Sequence, residues 1–256
     1  MKSPFHKARL IFIISIIMIA VIDHYFTINI LIYVIPLALF GIFILAGSSI
    51  LSLNIYAKSY TQSSTSDNKI ALTFDDGPSL ATLEVLNILR KHNVKATFFC
   101  IGNKIKKHPE IIEKIVSEGH IIGNHSYSHN YWFPLLRVKA IVTEIERTNT
   151  LIEKFTKQQN NLFRPPFGVM NPNIAKAGSK TNQRVIGWNL RSFDTTTKDK
   201  NKVIQRIQSK LHPGSVILLH DDRSNTPDIL DSILQYAQKN KYTIVDVPHI
   251  FNLTNK

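Results

Sequence analysis

The chain has 256 residues and a formal charge of +13, from 31 lysines and arginines against 18 aspartates and glutamates. That length suits one domain with an appendage, and the lone cysteine, Cys100, excludes an intramolecular disulfide. The cations are scattered and form no arginine–aromatic patch. A solvated surface, or attraction to an anionic envelope, is therefore favoured over nucleic-acid binding.

Residues 1–59 differ in composition from everything that follows. Leu10–Ile22 is apolar apart from Ser15 and is preceded by Lys2, Lys7 and Arg9, while Ile30–Ile50 carries no charge. A helix rising ~1.5 Å per residue needs roughly 20 residues to cross a hydrocarbon core. The second segment meets that length; the first is short and can recruit Tyr25 and Phe26 at the interface. The expectation is a membrane anchor over 1–59, with candidate helices at 8–26 and 30–53. A cleaved signal peptide is the rival, but Asp23-His24-Tyr25 is a poor cleavage site and a second apolar segment follows. Tyr60–Asn68 is polar and rich in Ser and Thr, so 60–68 is expected as a flexible linker to a domain over 69–256. Basic residues before the first segment slightly outnumber those after the second, which by itself favours a cytoplasmic N-terminus. A first segment that inserts only partway, or an external N-terminus, lets the domain face outward.

From Lys69 on, strand-like and helix-like segments alternate. Strands are expected at Ile70–Phe74, Val94–Cys100, His120–Gly123, Leu162–Arg164, Arg184–Trp188, Ser215–Leu219 and Tyr242–Asp246. Helices are expected at Thr82–His92, Pro109–Glu118, Val138–Lys157, Pro172–Ala177, Val203–Leu211 and Pro227–Lys239. This alternation predicts an α/β fold with a mostly parallel sheet, open or as an incomplete barrel. The unusual polar residues all fall at the carboxyl ends of the expected strands: Asp75-Asp76, His125 and His129, Arg164, Asp194, and His220-Asp221. Barrel and open α/β enzymes place their sites there.

Those residue types define a chemistry. His125 and His129, four apart in NHSYSH, can reach one ion with a carboxylate, the three-ligand pattern of catalytic zinc. Asp76 is the expected third ligand, leaving Asp75 as general base. In RPPFG the prolines fix the backbone and Gly168 allows a tight bend, so a peptide N–H there can stabilise an oxyanion while Arg164 orients Asp75. His220 is a candidate general acid whose cation Asp194 can favour.

TFDDGP, HSYSH, RPPFG, the Trp188–Asp194 segment and LLHD stand in the order and spacing of the NodB-type polysaccharide deacetylases, carbohydrate esterase family 4, which the chain resembles from about Lys69 onward. The resemblance implies a distorted (β/α)7 barrel that removes N-acetyl groups from GlcNAc-containing polymers with one divalent metal ion, commonly zinc. It implies Asp75 as base, Asp76, His125 and His129 as metal ligands, and Arg164 orienting the base. It also implies the Phe167 N–H in the oxyanion hole, Asp194 tuning the acid His220, Trp188 and Leu218 around the acetyl methyl, and Pro166 as a further substrate-binding residue. Many members carry Tyr at Phe167 and Trp at Thr195, so the sugar-binding rim departs from the family pattern. Peptidoglycan, chitin-like chains, poly-GlcNAc and lipid-linked glycans all fit as substrate. A metallo-phosphoesterase and a glycan-binding protein on an inactive barrel remain the alternatives.

Overall fold

A computed structural model describes residues 3–64 and 67–253; expectations that touch Lys2, Thr65, Ser66 or residues 254–256 lie outside the described residues. Two helices come first, α1 (Pro4–Phe26) and α2 (Leu31–Ser49), then a short 3-10 turn at Leu51–Leu53. The alternating part runs β1 (Ser59–Tyr60), β2 (Lys69–Asp75), α3 (Leu80–Lys91), β3 (Thr97–Cys100), α4 (Gly102–Lys107), α5 (Pro109–Ser117) and β4 (Ile121–Asn124). It continues α6 (Val138–Thr156), β5 (Leu162–Phe163), α7 (Pro172–Lys180), β6 (Arg184–Ile186) and β7 (Leu190–Arg191). It closes with α8 (Lys200–Lys210), β8 (Val216–His220), α9 (Thr226–Lys239), β9 (Thr243–Val245) and α10 (Val247–Ile250).

Every strand pairing is parallel, in the order β1-β6-β5-β4-β3-β2-β8-β7, with β9 on the first half of β2. Parallel strands covered by helices are buried on both faces, and β2 shows the resulting division of labour. Ile70, Leu72 and Phe74 pack outward against α3 and α9 through Val85, Leu86, Leu89, Ile229, Leu230 and Ile233. Ala71 faces the other way, onto Val216 and Ile250; on that same face the period of two puts Thr73 and Asp75. Ser79 starts α3 with a reciprocal cap, its hydroxyl accepting from the helix and its N–H donating to Thr82 Oγ1 at 2.9 Å.

Three expectations need correction. Ser59–Tyr60 and Gln62, in or beside the expected linker, join the sheet: Ser59 and Tyr60 pair with Val185 and Ile186, and Gln62 bridges Ser215. The expected strand Arg184–Trp188 ends at Ile186, and a separate short strand, β7, follows it. The first apolar helix is not short, because it takes in His6, Lys7 and Arg9 and runs for 23 residues. At ~1.5 Å per residue that spans roughly 35 Å, enough for a bilayer.

α1 and α2 form a hairpin whose tip Asp23 closes by accepting from the Ile28 N–H at 2.7 Å and the Tyr33 hydroxyl at 3.3 Å. Both helices are long and apolar enough to cross a membrane by length and composition. At the other end the Phe5 N–H donates to the Ile55 carbonyl at 3.2 Å, and the Met170 N–H donates to the Ser48 carbonyl at 3.0 Å. Leu51, Ile55 and Tyr56 share a core with Phe133, Ile174 and Val185, so the base of the hairpin is packed into the α/β body.

Candidate active site

The site begins where β2 ends. Alternation along a strand would turn Asp76 away from Asp75, but Asp76 has φ 71, a left-handed conformation that Asp tolerates. Next comes Gly77, where a Cβ would lie 2.1 Å from Asp221 Oδ2, so no larger residue fits. Asp221 itself is fully buried and turned toward α3, accepting from Thr82 Oγ1 at 2.6 Å; burial pushes its carboxyl up to about 7.

Asp75 is 4% exposed and lies against the fully buried Arg164, whose Nη1 donates to Asp75 Oδ1 at 2.7 Å. The rest of the guanidinium is also engaged. Nη1 donates to Thr73 Oγ1, Nε to the Ile186 carbonyl and Nη2 to the Gly187 carbonyl, at 2.9, 3.1 and 2.8 Å. Phe99 stacks on it with its centroid 4.1 Å away. Arg164 is thereby locked, and it locks one oxygen of Asp75.

His125 follows β4 and places Nδ1 2.8 Å from the Arg164 carbonyl, so that nitrogen carries the proton. Its Nε2 is then an electron-pair donor, 3.5 Å from Asp76 Oδ1. His129 Nε2 is 3.4 Å from the same oxygen. Burial first, then the neighbouring His125, pushes His129 down to about 4, which keeps it neutral near pH 7. Burial pushes the Asp76 carboxyl up, but His125, His129, His220 and Lys104 outweigh it, and the net direction is down. The backbone that delivers this pair is strained, with φ 64 at Ser126 and φ 49 at His129. It is held by Glu144 of α6, which accepts from the Tyr127 N–H, the Ser128 N–H and the Ser128 hydroxyl at 3.1, 2.8 and 2.9 Å.

One donor atom from each of Asp76, His125 and His129 lies within 4.8 Å of the others, the expected ligand set for one cation. Asp76 Oδ1 is buried with no hydrogen-bond partner. An orphaned carboxylate oxygen flanked by two imidazole nitrogens fits a divalent cation.

The register of β2 and β8 sets His220 beside Asp75. Both Asp194 oxygens hold it: His220 Nδ1 is 2.8 Å from Oδ1, and its backbone N–H donates to Oδ2 at 2.8 Å. Ser192 Oγ also donates to Asp194 Oδ1, at 2.8 Å. Burial would lower the His220 imidazole, but the Asp194 hydrogen bond and charge, with Asp75 and Asp76, outweigh it and raise it. Phe167 occupies a tight turn with φ 60 and stacks on Tyr131 with centroids 5.5 Å apart. Gly168 is required behind it, because a Cβ there would lie 2.4 Å from Trp188 Cη2.

Asp75, Asp76, His125, His129, Phe167 and His220 line one cleft of about 320 Å³, floored by Trp188 and Leu218 and rimmed by Tyr131, Arg191, Thr195 and Arg223. Pro166 is buried in the turn behind Phe167. Thr73, Ser192, Glu144, Tyr131, Arg191 and Arg223 were not anticipated. Of these only Ser192 has a local signal, a hydroxyl two residues before a carboxylate.

Comparison with known proteins agrees with this geometry. The sequence profile described as polysaccharide deacetylase matches residues 62–186. The Bacillus subtilis peptidoglycan-N-acetylmuramic acid deacetylase PdaA is 32% identical over 210 residues, covering 79% of this chain and 78% of its own. A crystal structure of the Bc1960 peptidoglycan N-acetylglucosamine deacetylase superposes with a TM-score of 0.73 at 30% identity, over 77% of this chain and 94% of that one. A second, of a Bacillus anthracis protein described as a CE4 family pseudoenzyme, superposes with a TM-score of 0.70 at 27% identity, over 75% and 68%. With a parallel curled sheet and the expected motif residues gathered at one end of it, the chain belongs to the polysaccharide deacetylases, the enzymes of carbohydrate esterase family 4.

Proposed function

We propose that this protein hydrolyses the acetamide of N-acetylated sugars in peptidoglycan glycan strands, using a base, an acid and a single divalent ion. The observation that carries the reading is the pair of locked dyads, Asp75–Arg164 and His220–Asp194, which bring Asp75 and His220 to the same cleft as the Asp76, His125 and His129 cluster. A divalent ion, zinc by its two-imidazole, one-carboxylate donor set, would be held by those three residues and supply Lewis acidity at the acetamide carbonyl. Asp75, with one oxygen fixed by Arg164, takes the proton of the attacking water through the other. The Phe167 N–H donates a hydrogen bond to the carbonyl oxygen as negative charge develops on it. His220, held at Nδ1 by Asp194, passes its Nε2 proton to the departing amine. Trp188 and Leu218 shape the floor that takes the acetyl methyl.

The test is acetate release from purified glycan strands. Chelation should abolish release, and added zinc should restore it with close to one ion bound per chain. Release that persists in metal-free buffer from the His125→Ala, His129→Ala double variant would overturn the metal assignment. Phosphate release without acetate would favour the phosphoesterase reading; binding without either would favour an inactive barrel.

The chain divides, in this reading, into an anchor over 1–59, a junction at 60–68 that begins inside the sheet, and a catalytic domain over 69–256. The hairpin spans the membrane and both its ends lie on the domain's side, because Phe5 and Ile55 are hydrogen-bonded. A peptidoglycan substrate places the catalytic domain, and so the N-terminus, outside the cytoplasmic membrane. Reporters fused after Tyr60 should be active only as an exported enzyme, such as alkaline phosphatase; activity of a cytosol-restricted reporter alone would reverse the topology.

A further inference from the structure

The rim of the cleft where Thr195 stands is strongly cationic. Arg191 at the end of β7 and Arg223 just after β8 both line the catalytic cleft. Arg223 and Thr195 also line an adjoining depression with Asp194, Lys198, Ser224 and Asn225, so the two hollows share one wall. The carboxylates nearest this wall have partners of their own: Asp75 is paired with Arg164, and Asp194, which lines the depression, with His220. Arg223 reaches Asp222 at 3.1 Å, but Lys104 also reaches that carboxylate, at 3.3 Å. Among the described residues Arg191 and Lys198 have no carboxylate within ion-pair distance; Arg191 instead sits 5.1 Å over the Phe193 ring. Arg206 takes the same ring at 4.4 Å and donates from Nε to the Arg191 carbonyl at 2.8 Å, fixing the strand end that carries Arg191. The amino end of α9 meets the same depression, and its cap Asn225 makes no side-chain bond to the helix. Convergent cations beside a helix amino end make a site for an anion.

We propose that Arg191 and Arg223, with Lys198 and the start of α9 behind them, form a subsite for a carboxylate carried on the glycan beside the sugar being deacetylated. The proposal rests on the deacetylase reading for the place of the sugar, but its recognition element is separate from the chemistry. Guanidinium forks match a carboxylate in two hydrogen bonds, so the subsite selects strands bearing free lactyl carboxylates over neutral strands of the same length.

The experiment compares peptide-stripped glycan strands with the same strands after their lactyl carboxylates are converted to methylamides. Dissociation constants are measured calorimetrically on the full-length, zinc-loaded Asp75→Asn protein, which holds substrate without turning it over. Free-carboxylate strands should bind about tenfold tighter or more, the scale of a hydrogen-bonded charged contact. The Arg191→Gln, Arg223→Gln variant should bring that ratio near one. The ratio in the parent protein should also shrink as salt rises from low to high ionic strength, a readout that needs no variant. A ratio of one in the parent, a ratio untouched by the double variant, or equal salt dependence for both strands overturns the subsite. Acetate release by the protein with Asp75 intact separates the two readings. No acetate from any strand, with the binding ratio present, removes the deacetylase and keeps the subsite; acetate from all strands with a ratio of one removes the subsite alone.

Discussion

Asp75→Asn should lower kcat by about 10²-fold or more, the usual scale for a general base, while leaving the bound metal in place. The substitution keeps the shape of the side chain and an oxygen for Arg164 Nη1, so the fold around the pair is preserved. What it removes is the proton acceptor. The ligand cluster uses Asp76 rather than Asp75, so metal content measured on the purified variant should match the parent. His220→Gln should cost a similar factor by removing the proton donor to the leaving amine. The pH profile supplies the sign. His220 must be protonated to act, so the rate should fall as pH rises through its value, which Asp194 and the nearby carboxylates raise against the effect of burial. That alkaline fall should disappear in His220→Gln. Loss of metal with chemistry retained in Asp75→Asn would exchange the roles of the two aspartates.

Arg164→Leu should be the most damaging single change to the fold. Arg164 is fully buried, and its removal leaves the Asp75 carboxylate, 4% exposed, without its counter-charge. It also strips donors from Thr73 and from the Ile186 and Gly187 carbonyls, which tie the ends of β5 and β6 to β2. Breaking one partner of a buried pair costs about 3–5 kcal/mol. At roughly 2–4 °C per kcal/mol for a domain of this size, the thermal midpoint should fall by on the order of 10 °C. Arg164→Lys keeps the charge but not the fork and should fall between the two. A midpoint for Arg164→Leu within about 2 °C of the parent would mean that the pair contributes little net stability, as buried ion pairs sometimes do.

The site was more legible than the fold that carries it. Asp75, Asp76, His125, Arg164 and His220 each follow or end an apolar run of strand length, and in a parallel sheet those ends converge. Residue type and position along one strand were enough to find them. Tyr131, Arg191 and Arg223 come from loops and a strand of two residues, and nothing local tells a loop side chain which cleft it will rim. β1 was hidden for a related reason. Its extended form is imposed by pairing with β6, distant in sequence, and a polar Ser/Thr stretch gives no periodicity to announce it. The extent of α1 was obscured by the basic residues in its first turns, which a hydropathy criterion discards and a helix accepts without difficulty.

The join between hairpin and body has a consequence for where the protein works. Between Ser49 and Ser59 there is no leash: the chain turns through Leu51–Leu53, buries Ile55 and Tyr56 beside Phe133, and enters the sheet. A bilayer-embedded hairpin would then carry the cleft at a fixed altitude, with the working radius of a bolted tool rather than a tethered one. On the proposed function, a cleft so mounted would reach only glycan that passes close to the lipid surface, and strands beyond that reach would keep their acetyl groups.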